Sequence, residues 1–343
     1  MPRVLVVGYG VVGKRIADAV AKQNDMTLAG VVEVSPARLT KVASDRGYAI
    51  FAATDDAAQA MQKAGMSIAG NFADALSSAD LVIDAAPKGV TAKNVAQYIA
   101  EQKPFIVNGG EKHSLTGFSF NALVNYKDAI GGKRTRVVSC NTTALCRVLY
   151  ALQQIDTIED AFVVVVRRGA DPVRTDSGPI NALVPVLGGL SHHAEDVRTV
   201  LDLPLTSLAV KASTTLAHLH MLRIVYRNPA DATRAREALE KTPRIAFVSG
   251  AAGLSDTARV LEYYRDELRP RGDMWEVAVW EDSISADGRT LVLTYCVHME
   301  SIAVPENIDA ARAMLGLQAS AGVSVKATDQ SLGFFKPTAN YDF

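Results

Sequence analysis

One cysteine stands where local geometry can make it reactive. Cys140 lies in Ser139-Cys140-Asn141-Thr142-Thr143, between the strand-like run 136–138, in which β-branched apolar Val137 and Val138 follow Arg136, and a segment from 141 to about 153. In that segment Leu145, Val148, Leu149 and Leu152 recur at helical spacing. A strand ending there and a helix beginning there place the thiol beside free backbone N–H groups and the positive end of a helix dipole. Such surroundings lower a cysteine pKa from ~8.5 towards neutrality and make a nucleophilic thiolate. The same N–H groups can hold an oxyanion. A small core residue that happens to end a strand is the competing interpretation, and the thiol's companions decide between them.

A thiolate that attacks an aldehyde to form a hemithioacetal, from whose carbon hydride then leaves, needs a base and grips for the substrate's polar groups. Among the six histidines, His218 and His220 share one face of a strand by their i, i+2 spacing, and either can serve as that base or as a structural residue. His113 and His298 have no distinguishing neighbours. Arg167-Arg168-Gly169 ends a long apolar strand and Ser191-His192-His193 opens a helix. Guanidinium groups, imidazoles and helix-start N–H groups are equipment for phosphate. No Cys-x-x-Cys, His-x-x-x-His or carboxylate cluster accompanies the histidine pair, so no metal is expected.

A hydride acceptor has a place at the start of the chain. Gly8-Tyr9-Gly10-Val11-Val12-Gly13 follows the first strand directly and opens a helix, as a dinucleotide-binding turn does. Glu33 ends the second strand, 20 residues after Gly13. A carboxylate there accepts hydrogen bonds from the adenosine ribose and repels a 2′-phosphate, which favours NAD. Arg38 and Lys41 follow closely and can meet a 2′-phosphate if their loop folds over, which keeps NADP in view.

These groups must be carried by two kinds of domain. Up to about residue 140, strand-like segments (4–7, 28–34, 81–85, 105–107) alternate with helix-like ones (11–21, 72–79, 90–101), a βαβ series that implies a parallel sheet. After 153 come long β-rich stretches (160–168, 205–211, 218–226, 245–248, 275–280, 290–298) with few helices (near 193–201, 230–240 and 256–267), an α+β pattern with a mostly antiparallel sheet. A last helical stretch, 306–314, is opened by Pro305 and is expected to return to the first domain. The fold class is therefore α/β: a Rossmann dinucleotide-binding domain over 1–139, an α+β catalytic domain over 140–303, and the returning helix in 304–343. Composition adds exclusions. Hydrophobic content of 48%, charged content of 21% and a net charge of −1 argue against a nucleic-acid or membrane partner. The short apolar start runs straight into the glycine loop and does not read as a signal peptide. Three cysteines, an odd number, fit free thiols in a reducing cytoplasm.

At this point Ser139-Cys-Asn-Thr-Thr-Ala-Leu, Arg167-Arg168, Gly178-Pro-Ile-Asn, Ser191-His-His-Ala, Thr214-Thr-Leu-Ala-His218, Glu300-Ser-Ile and Val304-Pro-Glu-Asn together resemble archaeal-type (class II) phosphorylating glyceraldehyde-3-phosphate dehydrogenase. Asn108-Gly-Gly-Glu-Lys112, Tyr9 and Lys14-Arg15 fit as well, and the resemblance runs to about Lys336. It implies Cys140 as nucleophile and His218, rather than His220, as base. It assigns Ser139, Asn141, Thr142, Arg167, His192 and His193 to the triose phosphate or inorganic phosphate. To the dinucleotide it assigns Val11, Val12 and Gly110, with Arg168 on the nicotinamide side, beside Gly8, Gly10, Gly13 and Glu33, which the loop and the strand end themselves point to. The implied enzyme is a cytoplasmic, glycolytic or gluconeogenic homotetramer that oxidises glyceraldehyde 3-phosphate, with NAD preferred here and NADP as the second cofactor. A related semialdehyde or acyl-phosphate reductase and a non-catalytic nucleotide sensor are the alternatives. Three departures stand out. Glu33 replaces the family's usual lysine, which strengthens the expectation of NAD. Met299 replaces a glutamine near the nicotinamide, and Asp84-Ala-Ala-Pro-Lys-Gly89 replaces a segment that usually carries threonines and an asparagine.

Overall fold

The computed structural model describes residues 1–108, 110–170 and 178–334. Gly109 of the expected cofactor segment and residues 335–343 of the expected C-terminal segment lie outside them. In chain order the elements begin β1 (Arg3–Val7), α1 (Gly13–Ala21), β2 (Thr27–Glu33), α2 (Arg38–Asp45), β3 (Ile50–Ala52), α3 (Asp55–Lys63) and β4 (Gly70–Asn71). Next are α4 (Phe72–Ser77), β5 (Leu81–Asp84), α5 (Val90–Ala100), β6 (Phe105–Asn108), β7 (Ser119–Phe120) and β8 (Arg134–Val137). Then follow α6 (Cys140–Leu152), β9 (Ile158–Arg168), β10 (Val184–Pro185), α7 (His193–Arg198), β11 (Leu205–Ala212), β12 (His218–Tyr226) and α8 (Ala232–Lys241). The chain continues with β13 (Ile245–Val248), α9 (Thr257–Asp266), β14 (Val277–Trp280), β15 (Ser285–Asp287) and β16 (Thr290–Val297), and ends with α10 (Val304–Met314) and α11 (Ala321–Leu332). Contacts divide it into two compact units, Met1–Ser139 with Ala303–Gly333, and Cys140–Ile302 with Phe334.

In the first unit eight parallel strands are ordered β4-β3-β2-β1-β5-β6-β8-β7. The inner strands β1 and β5 are apolar along almost their whole length and buried on both faces, as helices covering both sides of a parallel sheet require. β1 lies between β2 and β5, so the loop that follows it opens at the switch point of the sheet. α10 packs against α1 and β8. Its buried Arg312 ties the tail to the connection between α1 and β2 by donating to Asp25 and Gln23, and to α11 by donating to Thr328.

The second unit holds a sheet ordered β10-β11-β9-β12-β16-β14-β13, with β15 paired to β16. Most pairings are antiparallel; β9–β11 and β13–β14 are parallel. α6 packs against α7, α8, β14 and β16 and is buried on nearly every side. The junction before it differs by about a residue from the sequence reading: the strand ends at Val137 and Cys140 itself is the first helical residue. No helix among the described residues is long and apolar enough to cross a membrane.

Candidate active site

Cys140 begins α6 and His218 begins β12, and their side chains meet with Sγ 3.5 Å from Nε2. On the other edge of the ring, Nδ1 accepts the main-chain N–H of Arg168 at 2.9 Å. A ring nitrogen that accepts a hydrogen bond carries no proton, so the neutral imidazole keeps its proton on Nε2, facing the sulfur. Burial pushes His218 down to about 3, the charges of Arg168 and Arg167 push the same way, and Glu300 opposes them. Burial also pushes the Cys140 thiol up to about 11. The N–H of Asn141 and the two guanidiniums pull it back, while Glu300 adds to the rise. The residue keeps some solvent contact, but protein atoms crowd its sulfur.

Burial thus favours the neutral forms of both the thiol and the imidazole. The helix-start lowering expected from the sequence meets an opposing force here: withdrawing the sulfur from water pushes the thiol up, against one N–H donor and two guanidiniums that pull it down. In this tautomer His218 is a donor towards the sulfur, whereas the base role requires a free lone pair on Nε2.

Behind the thiol lies a closed polar network. Asn141 Nδ2 is 3.3 Å from His193 Nε2, and Asn141 Oδ1 is 2.9 Å from His220 Nε2. His220 turns its Nδ1 to the hydroxyl of Tyr295 at 3.2 Å, so of the two histidines on this face only His218 reaches Cys140. His193 Nδ1 meets Ser191 Oγ at 3.0 Å, and Ser191 Oγ lies 2.7 Å from Ser207 Oγ. Burial and the neighbouring His192 and Arg167 hold His193 down at about 3. Both ring nitrogens of His193 are thus engaged, while His192 is exposed and stacks on it with centroids 4.3 Å apart. Thr142 Oγ1 donates to Asp196 of α7 at 2.5 Å. Ser139 is partly buried immediately before the thiol.

The arginine pair divides by environment. Arg168 is buried and its Nη1 pairs with Glu300 and donates to Thr215 O at 3.1 Å, while its Nε lies 3.2 Å from Met299 Sδ. Arg167 is half-buried, and its Nε has no hydrogen-bond partner among the described residues. Glu300 entered the sequence reading only within the Glu300-Ser-Ile motif and was given no role there, yet the structure sets its carboxylate against Arg168. Its signal was faint: a carboxylate two positions from a histidine at the end of an apolar strand. Its Oε2 lies 2.9 Å from His298 Nε2, so the histidine without distinguishing neighbours in sequence has a carboxylate beside it in space.

The glycine loop meets the demands of a dinucleotide. Gly8 has φ +85°, and a Cβ there would stand 3.1 Å from Ala86. A Cβ on Gly13 would fall 1.8 Å from Gly8 O, so α1 and the turn touch backbone to backbone. Gly10 faces open space, with nothing within 4 Å of a built Cβ. α1 starts without a side-chain cap, and the N–H groups of Lys14 and Arg15 donate within the turn to Gly10 O at 3.2 Å and Val12 O at 2.9 Å. Val11 and Val12 are half-buried in this turn, and Val11 O accepts from Arg15 Nη1 at 2.7 Å. Glu33 accepts the N–H of Tyr9 and, at 3.2 Å, that of Val34. Lys41 is paired with Asp45 at 3.0 Å, and Arg38 is exposed. Gly110 is exposed, beside Glu111, whose carbonyl accepts from Arg136 at 2.9 Å.

Known proteins extend this geometry. A family model described as glyceraldehyde 3-phosphate dehydrogenase, C-terminal domain, matches residues 139–283, and one described as dihydrodipicolinate reductase, N-terminus, matches residues 2–141. Glyceraldehyde-3-phosphate dehydrogenase of Methanothermus fervidus is 40% identical over 98% of this chain and 100% of its own. That of Pyrobaculum calidifontis is 44% identical over 99% and 100%, and that of Halobacterium salinarum 42% over 97% and 100%. Among solved structures, aspartate semialdehyde dehydrogenase II of Vibrio cholerae matches with a TM-score of 0.67 over 92% of this chain and 98% of that one, at 12% identity, a likeness of fold. With such identity sustained along the whole chain, this protein belongs to the glyceraldehyde-3-phosphate dehydrogenase family.

Proposed function

We propose that the chain is a cytoplasmic phosphorylating aldehyde dehydrogenase that oxidises D-glyceraldehyde 3-phosphate reversibly to 1,3-bisphosphoglycerate, in glycolysis or gluconeogenesis. The observation that carries this reading is the helix-start thiol of Cys140 held 3.5 Å from His218 Nε2, with Arg167 close enough to act on the thiol's charge. The thiol gives its proton to solvent, since Nε2 of His218 already holds one. The thiolate attacks the aldehyde carbon, and Nε2–H and the first N–H groups of α6 donate to the oxygen as it becomes negative. A nicotinamide dinucleotide bound at the glycine loop supplies the hydride acceptor. Departure of hydride from the hemithioacetal carbon leaves a thioester on Cys140. Phosphate then attacks the thioester carbon, the thiolate leaves, and the acyl phosphate is released.

Arg167 is the principal grip for phosphate, with exposed His192 beside it. Asn141 and Thr142 have their side chains engaged with the protein and contribute main-chain N–H groups. At the cofactor, the carboxylate of Glu33 at the end of β2 favours a ribose with free hydroxyls, hence NAD, and exposed Arg38 allows slower use of NADP. Ile180, Leu183, Leu187 and Leu190 are exposed along one stretch, more apolar surface than a monomer usually leaves in water, which supports a homotetramer. Sedimentation showing a monomer at micromolar concentration refutes that assembly.

The decisive assay measures steady-state reduction of NAD and NADP by glyceraldehyde 3-phosphate, with and without phosphate. Turnover that needs phosphate and a higher kcat/KM with NAD are expected. Cys140→Ser should abolish oxidation and still bind NAD; near-full activity in that variant refutes the mechanism.

A further inference from the structure

Arg168 is the last residue of β9 and touches the catalytic pair through its main chain, not through its guanidinium. Its side chain runs between two other segments. Nη1 donates to Thr215 O in the turn that enters β12, and Nη1 also pairs with Glu300 just beyond β16. Glu300 is itself braced by His298, whose Nδ1 accepts the main-chain N–H of Met274 at 3.3 Å, which leaves the ring proton on Nε2 facing the carboxylate; Ser301 Oγ lies 2.7 Å from the same Nδ1. A chain of buried contacts thus leads from the floor of the unit, through one carboxylate, to the N–H that sets the proton on His218.

We propose that Glu300 is a positioning residue for the thiol–imidazole pair: its ion pair anchors Arg168, whose main-chain N–H holds His218 in the tautomer that aims Nε2–H at Cys140. This rests on the reading of Cys140 as nucleophile. The carboxylate has a second consequence, because it compensates the guanidinium charge nearest the thiol. Burial is the main force that holds the Cys140 thiol up, and Glu300 adds a smaller push the same way; without it, the pull of Arg168 on the sulfur is no longer offset. The charged and titratable groups around the pair are Arg167 and Arg168 from β9 and Glu300 after β16, which act on both Cys140 and His218, His193 from α7, which acts on His218, and His298, which pairs with Glu300. His220 lies behind Asn141, and Asp196 is taken up by Thr142. Among these, Glu300 is the carboxylate that acts on both the sulfur and the His218 ring.

The positioning role and a merely structural one separate in the variant Glu300→Gln, which keeps shape and removes charge. Its Cys140 should be alkylated by iodoacetate about tenfold faster at pH 8, the equivalent of one unit of thiol acidity. Its kcat should nevertheless fall, by up to about 100-fold, because the imidazole loses its fixed proton. Glu300→Asp should recover part of kcat. A folding defect alone predicts loss of kcat with equal labelling of all three cysteines, and that result overturns the proposal. Should Glu300→Gln fail to fold, His298→Asn removes the brace and leaves the ion pair. It should shift labelling and kcat the same way by a smaller factor, and wild-type values in it overturn the proposal too. Cys140→Ser separates the two layers. If that variant stays active, the nucleophile reading fails; if it is inactive while Glu300→Gln labels and turns over like wild type, only the positioning role fails.

Discussion

The glycine loop and the thiol centre each hold a ligand-facing group still, with opposite materials. The loop does so with backbone and empty space: a turn at Gly8, a backbone-to-backbone contact at Gly13 and an uncapped helix start. The thiol centre is built from side chains that satisfy one another, from Tyr295 through His220, Asn141 and His193 to Ser191 and Ser207. A site made of backbone tolerates loss of a side chain but not its addition. A closed polar network tolerates neither, because each member removed leaves two others buried without partners.

The sharpest way to break this contrast is Asn141→Leu, which keeps volume and removes both polar ends. His193 and His220 each lose a partner in the interior, at about 2 kcal/mol apiece, so unfolding in urea should show a loss of about 4 kcal/mol. Stability within 1 kcal/mol of wild type, a margin of about the worth of one hydrogen bond, means that the network is dispensable. Next in size is Gly13→Ala, whose methyl has no room against Gly8 O. Overpacking there should cost about 3 kcal/mol and abolish NAD binding while alkylation of Cys140 continues. Normal NAD affinity in a folded Gly13→Ala protein refutes close packing as that glycine's purpose.

The two regions differed as much in how far the sequence disclosed them. Gly8, Gly10 and Gly13 act within one turn, so their spacing carries their meaning. The junction at Cys140 is local too, and it was readable to about one residue. The i, i+2 spacing of His218 and His220 told correctly that both are buried on one face, since β12 alternates along its length. What each ring does was not readable, because its partner is remote: Asn141 is 79 residues from His220, and Arg168 is 132 from Glu300. The balance that sets the thiol's acidity was hidden for a related reason. Helix position is a local property, whereas burial of the sulfur depends on residues remote in sequence, such as His218, 78 positions further on. Some helices escaped notice because their signals are not apolar. α3 buries little beyond Ala57 and Met61 and begins at a Thr54 cap, while α11 packs through Ser324 and Thr328, which bond Asp309.

The protonation states give the contrast a pH signature. The reactive form of Cys140 is the thiolate, and its pKa is raised to about 11, so alkylation of the free enzyme should quicken about tenfold per pH unit from pH 7 to 10. His218, held down at about 3, should add no inflection between pH 5 and 9. A labelling rate that levels off near pH 7 instead indicates an ion pair at rest and overturns the neutral assignment. A smaller effect is expected from Glu33→Lys. Removing the carboxylate and adding a cation should move the ratio of kcat/KM for NAD over NADP by about tenfold towards NADP, or about 1.4 kcal/mol. An unchanged ratio removes Glu33 from cofactor choice.

The smallest change tests the claim that empty space is the working part of the loop. A methyl on Gly10 meets nothing within 4 Å, and the residue has no left-handed φ, so Gly10→Ala folds without strain. Its stability should hold or rise by about 0.5 kcal/mol, since alanine restricts the unfolded chain more than glycine does. Its KM for NAD should rise all the same, because the methyl stands where a pyrophosphate approaches the backbone. The same substitution three residues on should damage fold and binding together, whereas here only binding should suffer. If KM for NAD is untouched in Gly10→Ala, the opening at Gly10 is bare surface, and the dinucleotide rests on Gly8, Gly13 and the helix start alone.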